Sequence, residues 1–126
     1  MNEEPTVRGE RLRVALRALS GLLAVVFMLS GASKLQGAEE HVRDFDRWGY
    51  PDWLRIAVGA VQVASAVLLP VPRTTFVGAV ALAVLMAGGT YAHWASGEGG
   101  RAVLTLVLLA LLSLLAYARR PQDGLL

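Results

Sequence analysis

The 126-residue chain has no cysteine, so disulfides, thiolate metal sites, iron–sulfur clusters and cysteine-pair redox chemistry are excluded. It also has little charge, since 17 % of its residues are charged and 55 % are hydrophobic before the 13 glycines are counted. A soluble domain has roughly 45–50 % apolar residues with glycine included. A chain of this length cannot bury so much apolar surface in the core of one small soluble domain, which excludes an ordinary soluble enzyme.

Lysine is almost absent, because Lys34 is the single lysine among 12 basic residues. The formal net charge of +2 is compatible with nucleic-acid binding. The arginines, however, stand in short flanks of apolar runs rather than on one basic face. Basic flanks of this kind are typical of membrane-spanning segments, so no nucleic-acid role is predicted.

Four long apolar runs dominate the sequence, at residues 14–32, 53–69, 76–94 and 102–118. Each has the roughly 17–25 residues that a helix needs to cross the hydrocarbon core. Backbone polar groups in lipid must be satisfied within their own segment, so helices are predicted. The predicted fold is all-α, a four-transmembrane-helix antiparallel bundle in a single membrane domain, 14–118. A basic N-terminal flank, 1–13, precedes it and a tail, 119–126, follows it.

The links between the predicted spans differ in length. Two prolines lie in the link at 70–73 and three glycines in the link at 95–101, and links this short join antiparallel neighbours. The first link is much longer and predicts a short amphipathic helix on the membrane surface or across the bundle end. Its apolar face consists of Leu35, Ala38, Val42 and Phe45.

The charged residues of this first link, Asp44 included, are predicted to lie off that apolar face. Gly49 is expected to end the short helix, and Asp52 to cap the second span through its side chain. Together these features predict an interfacial helix in the first, outer link.

The basic residues predict the orientation. Seven lie in the N-terminal flank and first turn, the second link and the tail, whereas five lie on the other side beside six acidic residues. The positive-inside rule then predicts a multi-pass protein of the cytoplasmic membrane with both termini cytoplasmic.

The first apolar run also resembles a signal peptide, because Ser30 and Ala32 are small residues of the kind found at a cleavage site. That run is long for a signal peptide, and an uncleaved span is the prediction.

Polar residues converge on one end of the predicted bundle. Lys34 ends the first span, Arg55 begins the second and His93 ends the third, so all three belong to the same membrane face. They could bind an anion or the carbonyl of a polar head group. The alternative is that they are interfacial residues paired with carboxylates of the first link.

Gln62 is the one strongly polar side chain near the centre of a span. It shares a helical face with Arg55 and Gly59, and that face should point into the bundle because an amide facing lipid is costly. Gln62 either binds a quinone-like ligand or makes an interhelical hydrogen bond of about 0.6–2 kcal/mol. The candidate ligand-binding residues are therefore Lys34, Arg55, Gly59, Gln62 and His93.

No catalytic constellation is visible in the sequence, such as a nucleophile–base pair, a phosphate loop or a carboxylate dyad. No catalytic residue, metal ligand or cofactor is predicted, and a non-catalytic role is favoured while enzymatic activity stays open. Small residues repeat at four-residue spacing and would let helices pack closely, within the chain or in a homodimer. They are Ala60, Ala64, Ala79, Ala83 and Ala87.

Four segments resemble the DoxX and DoxX-like family of small membrane proteins, and the resemblance covers about residues 18–118. They are FMLSGASKLQG at the end of the first span, WGYP, VGAVQVASAVLLPVPR and LAVLMAGGTYAHWASGE. The resemblance implies a four-helix integral membrane protein linked to quinol oxidase or thiosulfate–quinone oxidoreductase systems. It highlights Lys34, Gly59 and His93. Relatives often carry glutamate where this chain has Gln62, so hydrogen bonding is expected there rather than proton transfer.

The residues and the resemblance together predict a non-catalytic accessory subunit of a quinone- or redox-linked membrane system. Its expected partners are the lipid bilayer and a membrane oxidoreductase. A quinone is the candidate ligand, placed between Gln62 and the end of the bundle that carries Lys34, Arg55 and His93. Two alternatives stay open, a stand-alone binder or transporter of a small lipophilic molecule and a structural or assembly factor.

Overall fold

The fold is described by a computed structural model covering residues 4–121, with side chains from residue 7 onward. Within this range the chain forms five helices and no strand, so the predicted all-α fold is confirmed. The helices are α1 (Glu4–Leu35), α2 (Glu39–Trp48), α3 (Asp52–Leu68), α4 (Thr75–Ala95) and α5 (Gly99–Ala118).

Two helices begin earlier than predicted. α1 starts at Glu4 rather than at residue 14, so the basic flank forms its first turns. The physical reason is that this flank is rich in arginine and glutamate, which favour helix. α5 starts at Gly99, so its first two glycines are helical and the link predicted at 95–101 shrinks to 96–98.

Three helical segments are long and apolar enough to cross a membrane, namely Val7–Leu35, Thr75–Ala95 and Gly99–Ala118. They expose large apolar side chains outward, among them Leu22 and Val84. α3 is shorter, because its 17 residues extend only about 26 Å against a hydrocarbon core of roughly 30 Å. Its crossing of the membrane therefore stays a prediction.

α1 packs against α3, α3 against α4, and α4 against α5, while α1 and α5 touch only lightly. The contact between α1 and α3 is a backbone-to-backbone crossing at two glycines. A Cβ on Gly31 would lie 2.9 Å from the carbonyl oxygen of Gly59, and a Cβ on Gly59 would lie 2.9 Å from that of Gly31. Only glycine allows helices to approach this closely.

The apolar core lies in the half of the bundle where α1 begins and α5 ends, here called the terminal half. Its fully buried members come from four helices and the residue that follows α3. They include Leu23, Leu69, Leu82, Leu112 and Leu115, each exposed by 2 % or less. Ala79 also packs in this core, but Ala60, Ala64 and Ala87 are exposed and Ala83 is half-buried. The predicted small-residue stripes are thus split between the interior and the outer surface.

α2 lies across the opposite end of the bundle, here called the α2-side half. It ends as predicted at Gly49, whose φ of 82° is left-handed and suits glycine. Two expectations for this region are wrong. Asp44 is buried beside Phe45, because arginines from α2 and α5 pair with its carboxylate. Asp52 is the first residue of α3 and does not cap it through its side chain, since Pro51 occupies the capping position.

Candidate functional site

A cavity of about 500 Å³ lies in the α2-side half, with walls from all five helices. Most of the wall is apolar, including Phe27, Leu54, Val58 and Leu108. Small-molecule sites typically occupy about 300–1,000 Å³, with mainly apolar walls and a few polar groups. The polar or charged side chains on this wall include Ser30, Lys34, His41, Asp44, Trp48, Gln62, His93, Arg101 and Thr105.

Three of these side chains form a hydrogen-bonded chain between α1 and α3. The Lys34 ammonium donates to the hydroxyl oxygen of Ser30 over 2.8 Å, and that hydroxyl donates to Gln62 Oε1 over 3.4 Å. Lys34 follows Ser30 by one helical turn, which places both on the same face of α1. No carboxylate within the described part of the chain forms an ion pair with Lys34. Its positive charge is therefore unpaired beside the cavity.

His93 is positioned by the way α4 ends. Gly97 has a left-handed φ of 75°, and the backbone N–H of Glu98 donates to the carbonyl of His93 over 2.8 Å. This ending is a Schellman motif, and it folds the chain back over the last helical turn. As a result, Glu98 Oε1 lies 2.6 Å from His93 Nδ1 and holds the imidazole ring. Trp48 of α2 meets the same ring edge-on at 4.9 Å between centroids.

Four charged side chains fasten α2 to the start of α5; we call them the mouth network, and they are Asp44, Arg47, Glu98 and Arg101. Arg101 binds both oxygens of Asp44, at 3.1 and 2.6 Å. Arg47 bonds to Asp44 over 2.9 Å and also to Glu98. Two-pronged arginine–carboxylate pairs of this kind are the stronger ones. The network therefore holds α2 over the cavity.

Burial, hydrogen bonds and neighbouring charges shift the pKa of three groups outside the spanning helices, namely Asp44 and Glu98 of the mouth network and the nearby His41. Burial alone would raise the pKa of Asp44, but hydrogen bonds and charge from Arg101 and Arg47 outweigh it and lower the pKa. The hydrogen bond with His93 lowers the pKa of Glu98. Burial lowers the pKa of His41, and the charge of Lys34 adds to that effect. Both carboxylates thus stay ionised well below neutral pH.

Of the predicted site residues, Lys34, Gln62 and His93 line the cavity, whereas Arg55 and Gly59 do not. Arg55 is only 8 % exposed, and its guanidinium donates to the carbonyl of Lys34 at the end of α1. A cation at a helix C-terminus satisfies free carbonyls there. Gly59 forms the close crossing with α1. Arg55 and Gly59 therefore stabilise the packing of α3 against α1 rather than contact the cavity.

Several cavity residues were not predicted as site residues. Ser30 could have been found from its position one turn before Lys34 on the same face. Asp44 and Arg101 are 57 positions apart, and no spacing in the sequence signals their pairing. Within residues 4–121, no group of three or more His, Asp or Glu side chains is placed to hold a metal ion.

Three long apolar helices and an outer surface of exposed large apolar side chains define a helical membrane protein. The model of the DoxX-like family matches residues 18–115, and the chain belongs to that family. The family resemblance predicted from its segments is thereby confirmed. No curated protein and no solved structure matches the chain.

Proposed function

We propose that this DoxX-like protein holds a small lipophilic molecule, with a quinone as the candidate, in the cavity beneath α2. It serves a quinone- or redox-linked membrane system as a non-catalytic accessory subunit. The observation that carries the proposal is an apolar cavity of about 500 Å³ into which Lys34, Gln62 and His93 bring polar groups.

The chemistry of the wall suits a ring that carries carbonyl oxygens. Apolar side chains would pack on the ring, while the Lys34 ammonium and the Gln62 amide N–H groups would donate to its oxygens. Phe45, Trp48 and Tyr50 add an aromatic cluster with ring centroids 5.3–6.1 Å apart. Lys34 supplies a positive charge and Gln62 supplies hydrogen bonds, and both kinds of interaction would hold a bound molecule in place.

We further propose that α3 is the fourth span and that both termini lie in the cytoplasm of a cytoplasmic-membrane protein. α3 packs between two helices that are themselves long enough to cross. The basic residues of the first turns of α1, of the α3–α4 link and of the end of α5 lie at the terminal end, which favours a cytoplasmic location for that end.

The test is quinone retention in reconstituted protein. The parent chain and a Lys34→Ala/Gln62→Ala/His93→Ala variant are placed in vesicles that contain an isoprenoid quinone, re-extracted in mild detergent, and analysed for quinone per protein. We expect the parent to retain quinone and the triple variant to lose it. A Gln36→Ala/Arg73→Ala variant, altered outside the cavity, should retain as much as the parent.

Gln62 is buried, so the triple variant must first be shown to be folded, by monodispersity and helical content. A Gln62→Leu variant of similar volume provides a second test if the triple variant misfolds. Equal retention by the parent and the folded variants would contradict the proposal.

The accessory role needs a separate measurement. An accessory subunit should co-purify with a membrane oxidoreductase and show no activity alone in vesicles. A stand-alone binder or transporter would act in vesicles without a partner. An assembly factor would tolerate loss of the three polar side chains in cells.

A further inference from the structure

α5 is held to α4 rather than to α1. The hydroxyls of Thr90 and Thr105 hydrogen-bond across the α4–α5 contact at 2.8 Å. α1 and α5 share one packed cluster mainly in the terminal half, where Leu23, Leu112 and Leu115 lie. The two helices touch only lightly overall.

In the α2-side half, α1 and α5 line the cavity instead of packing on each other. Val26 and Ser30 of α1, and Leu104 and Leu108 of α5, are all on its wall. Val26 is 38 % exposed and Leu104 is 61 % exposed, so each belongs both to the cavity wall and to the outer surface. The space between these two side chains, here called the gap, is bordered by apolar residues of both helices.

The end of the cavity near α2 is covered. The ion pairs of Asp44 with Arg101 and of Arg47 with Glu98 hold α2 down, and Trp48 packs on His93 beneath it. Opening that end would separate charged pairs, whereas the gap between α1 and α5 is bordered by apolar side chains. Passage of a ligand between α1 and α5, into the membrane, should therefore cost less free energy than passage beneath α2.

We propose that the cavity opens laterally to the bilayer between α1 and α5, and that its ligand is a membrane-dissolved lipid with a ring or head group on a long hydrocarbon chain. The head lies beside Lys34 and Gln62, and the chain leaves past Val26 and Leu104. This inference rests on the proposed function and adds the entry route and the class of ligand. A compound without a chain would fill the cavity but leave the gap empty.

The absence of native cysteine makes a direct test clean. A Leu104→Cys variant in vesicles is reacted with a lipid-soluble maleimide, with and without a long-chain isoprenoid quinone. Leu106→Cys is the matched control, because Leu106 is 52 % exposed on the same helix but does not line the cavity. We expect the long-chain quinone to slow labelling of the Leu104→Cys thiol and not of the Leu106→Cys thiol. The same ring without its chain should protect neither.

A second measurement follows the exchange rate. A Leu104→Trp variant fills the gap, and exchange of bound quinone for isotope-labelled quinone from vesicles should slow relative to Leu106→Trp. Arg47→Gln, which weakens the mouth network at a residue that does not line the cavity, should leave the rate unchanged if entry is lateral.

The possible outcomes separate the two proposals. If the parent chain retains no quinone, the proposed function fails and this inference fails with it. If quinone binds but the Leu104→Cys thiol is unprotected, or if exchange responds to Arg47→Gln and not to Leu104→Trp, only the lateral route is overturned.

Discussion

The two halves of the bundle are built from the same helices but differ in how completely they pack. In the terminal half, leucines from several helices meet with no more than 2 % exposure. In the α2-side half the same helices surround a cavity of about 500 Å³ and place a lysine, a glutamine and a histidine on its wall. The difference assigns stability mainly to the terminal half and places the proposed ligand site in the α2-side half.

The comparison has a simple cause in the positions of small and polar residues. The helices are locked together at Gly31 and Gly59, in the α2-side half of the bundle. In the terminal half the inward positions are mainly apolar and interdigitate, as close packing requires. In the α2-side half they include Ser30, Lys34 and His93, which bind one another or a neighbour rather than fill space.

The largest effect is expected at the close crossing of α1 and α3. Gly31→Ala places a Cβ 2.9 Å from the carbonyl oxygen of Gly59, so α1 and α3 must move apart. We expect a loss of about 3 kcal/mol in the free energy of unfolding in detergent. Gly21→Ala is the matched control, since nothing lies within 4 Å of its added Cβ, and it should not destabilise. Equal behaviour of the two variants would contradict the close crossing.

The next effect separates the two halves directly. Leu82→Ala in the terminal half opens a void among fully buried neighbours and should cost about 2 kcal/mol, mainly through lost packing because lipid is itself apolar. Leu54→Ala on the cavity wall removes a side chain that already faces space and should cost less than ~1 kcal/mol. Unfolding free energies of the two variants test this order. A larger loss for Leu54→Ala would reverse the assignment of stability.

A smaller effect concerns the mouth network and depends on pH. The pKa of Asp44 and of Glu98 is lowered in the folded protein, so the stability these carboxylates add is present above their ordinary values of 3.8 and 4.5. It is lost as pH falls through the lowered values. Asp44→Asn should cost about 1 kcal/mol at pH 7, because its arginine partners are half-exposed.

Thermal unfolding from pH 7 to pH 3 measures this dependence. The parent chain should keep its midpoint down to about pH 4.5 and then lose stability more steeply than the Asp44→Asn variant. Identical acid profiles for the two chains would show that the network adds no stability.

The smallest stability effect is expected at Gln62. Gln62→Leu keeps the volume and removes only the long bond from Ser30, so the free energy of unfolding should change by less than ~1 kcal/mol. Quinone retention should nevertheless fall, because an amide donor is lost from the cavity. Loss of stability without loss of retention would assign Gln62 to helix packing alone.

Most of the fold could be predicted because it depends on local properties of the sequence. Apolar run length predicted α3 and α4 to within one residue at each end. Amphipathic spacing predicted a helix in the first link, but Leu35 and Ala38 of its predicted apolar face lie outside α2. The start of α1 was predicted too late, because a search for apolar residues cannot detect a polar helix that extends beyond the membrane. α3 was predicted as a span, yet its 17 residues are too few for length alone to decide.

The candidate site could be predicted only where topology decides proximity. Lys34 and His93 were expected at one end because each ends its span and the first and third spans run in the same direction, and both residues line the cavity. Arg55 was expected beside them, but its side chain turns to the end of α1, which depends on a side-chain conformation. The pairing of Asp44 with Arg101 depends on how α2 folds back across the bundle, and nothing local in the sequence records that.

Native mass spectrometry of the purified chain after saturation with an isoprenoid quinone tests the central claim most directly. The parent should carry an added mass equal to one quinone, the Gln36→Ala/Arg73→Ala variant should carry it too, and the Lys34→Ala/Gln62→Ala/His93→Ala variant should not. A folded parent chain that carries no quinone, or a triple variant that carries as much as the parent, would contradict the claim that the α2-side cavity binds the lipid.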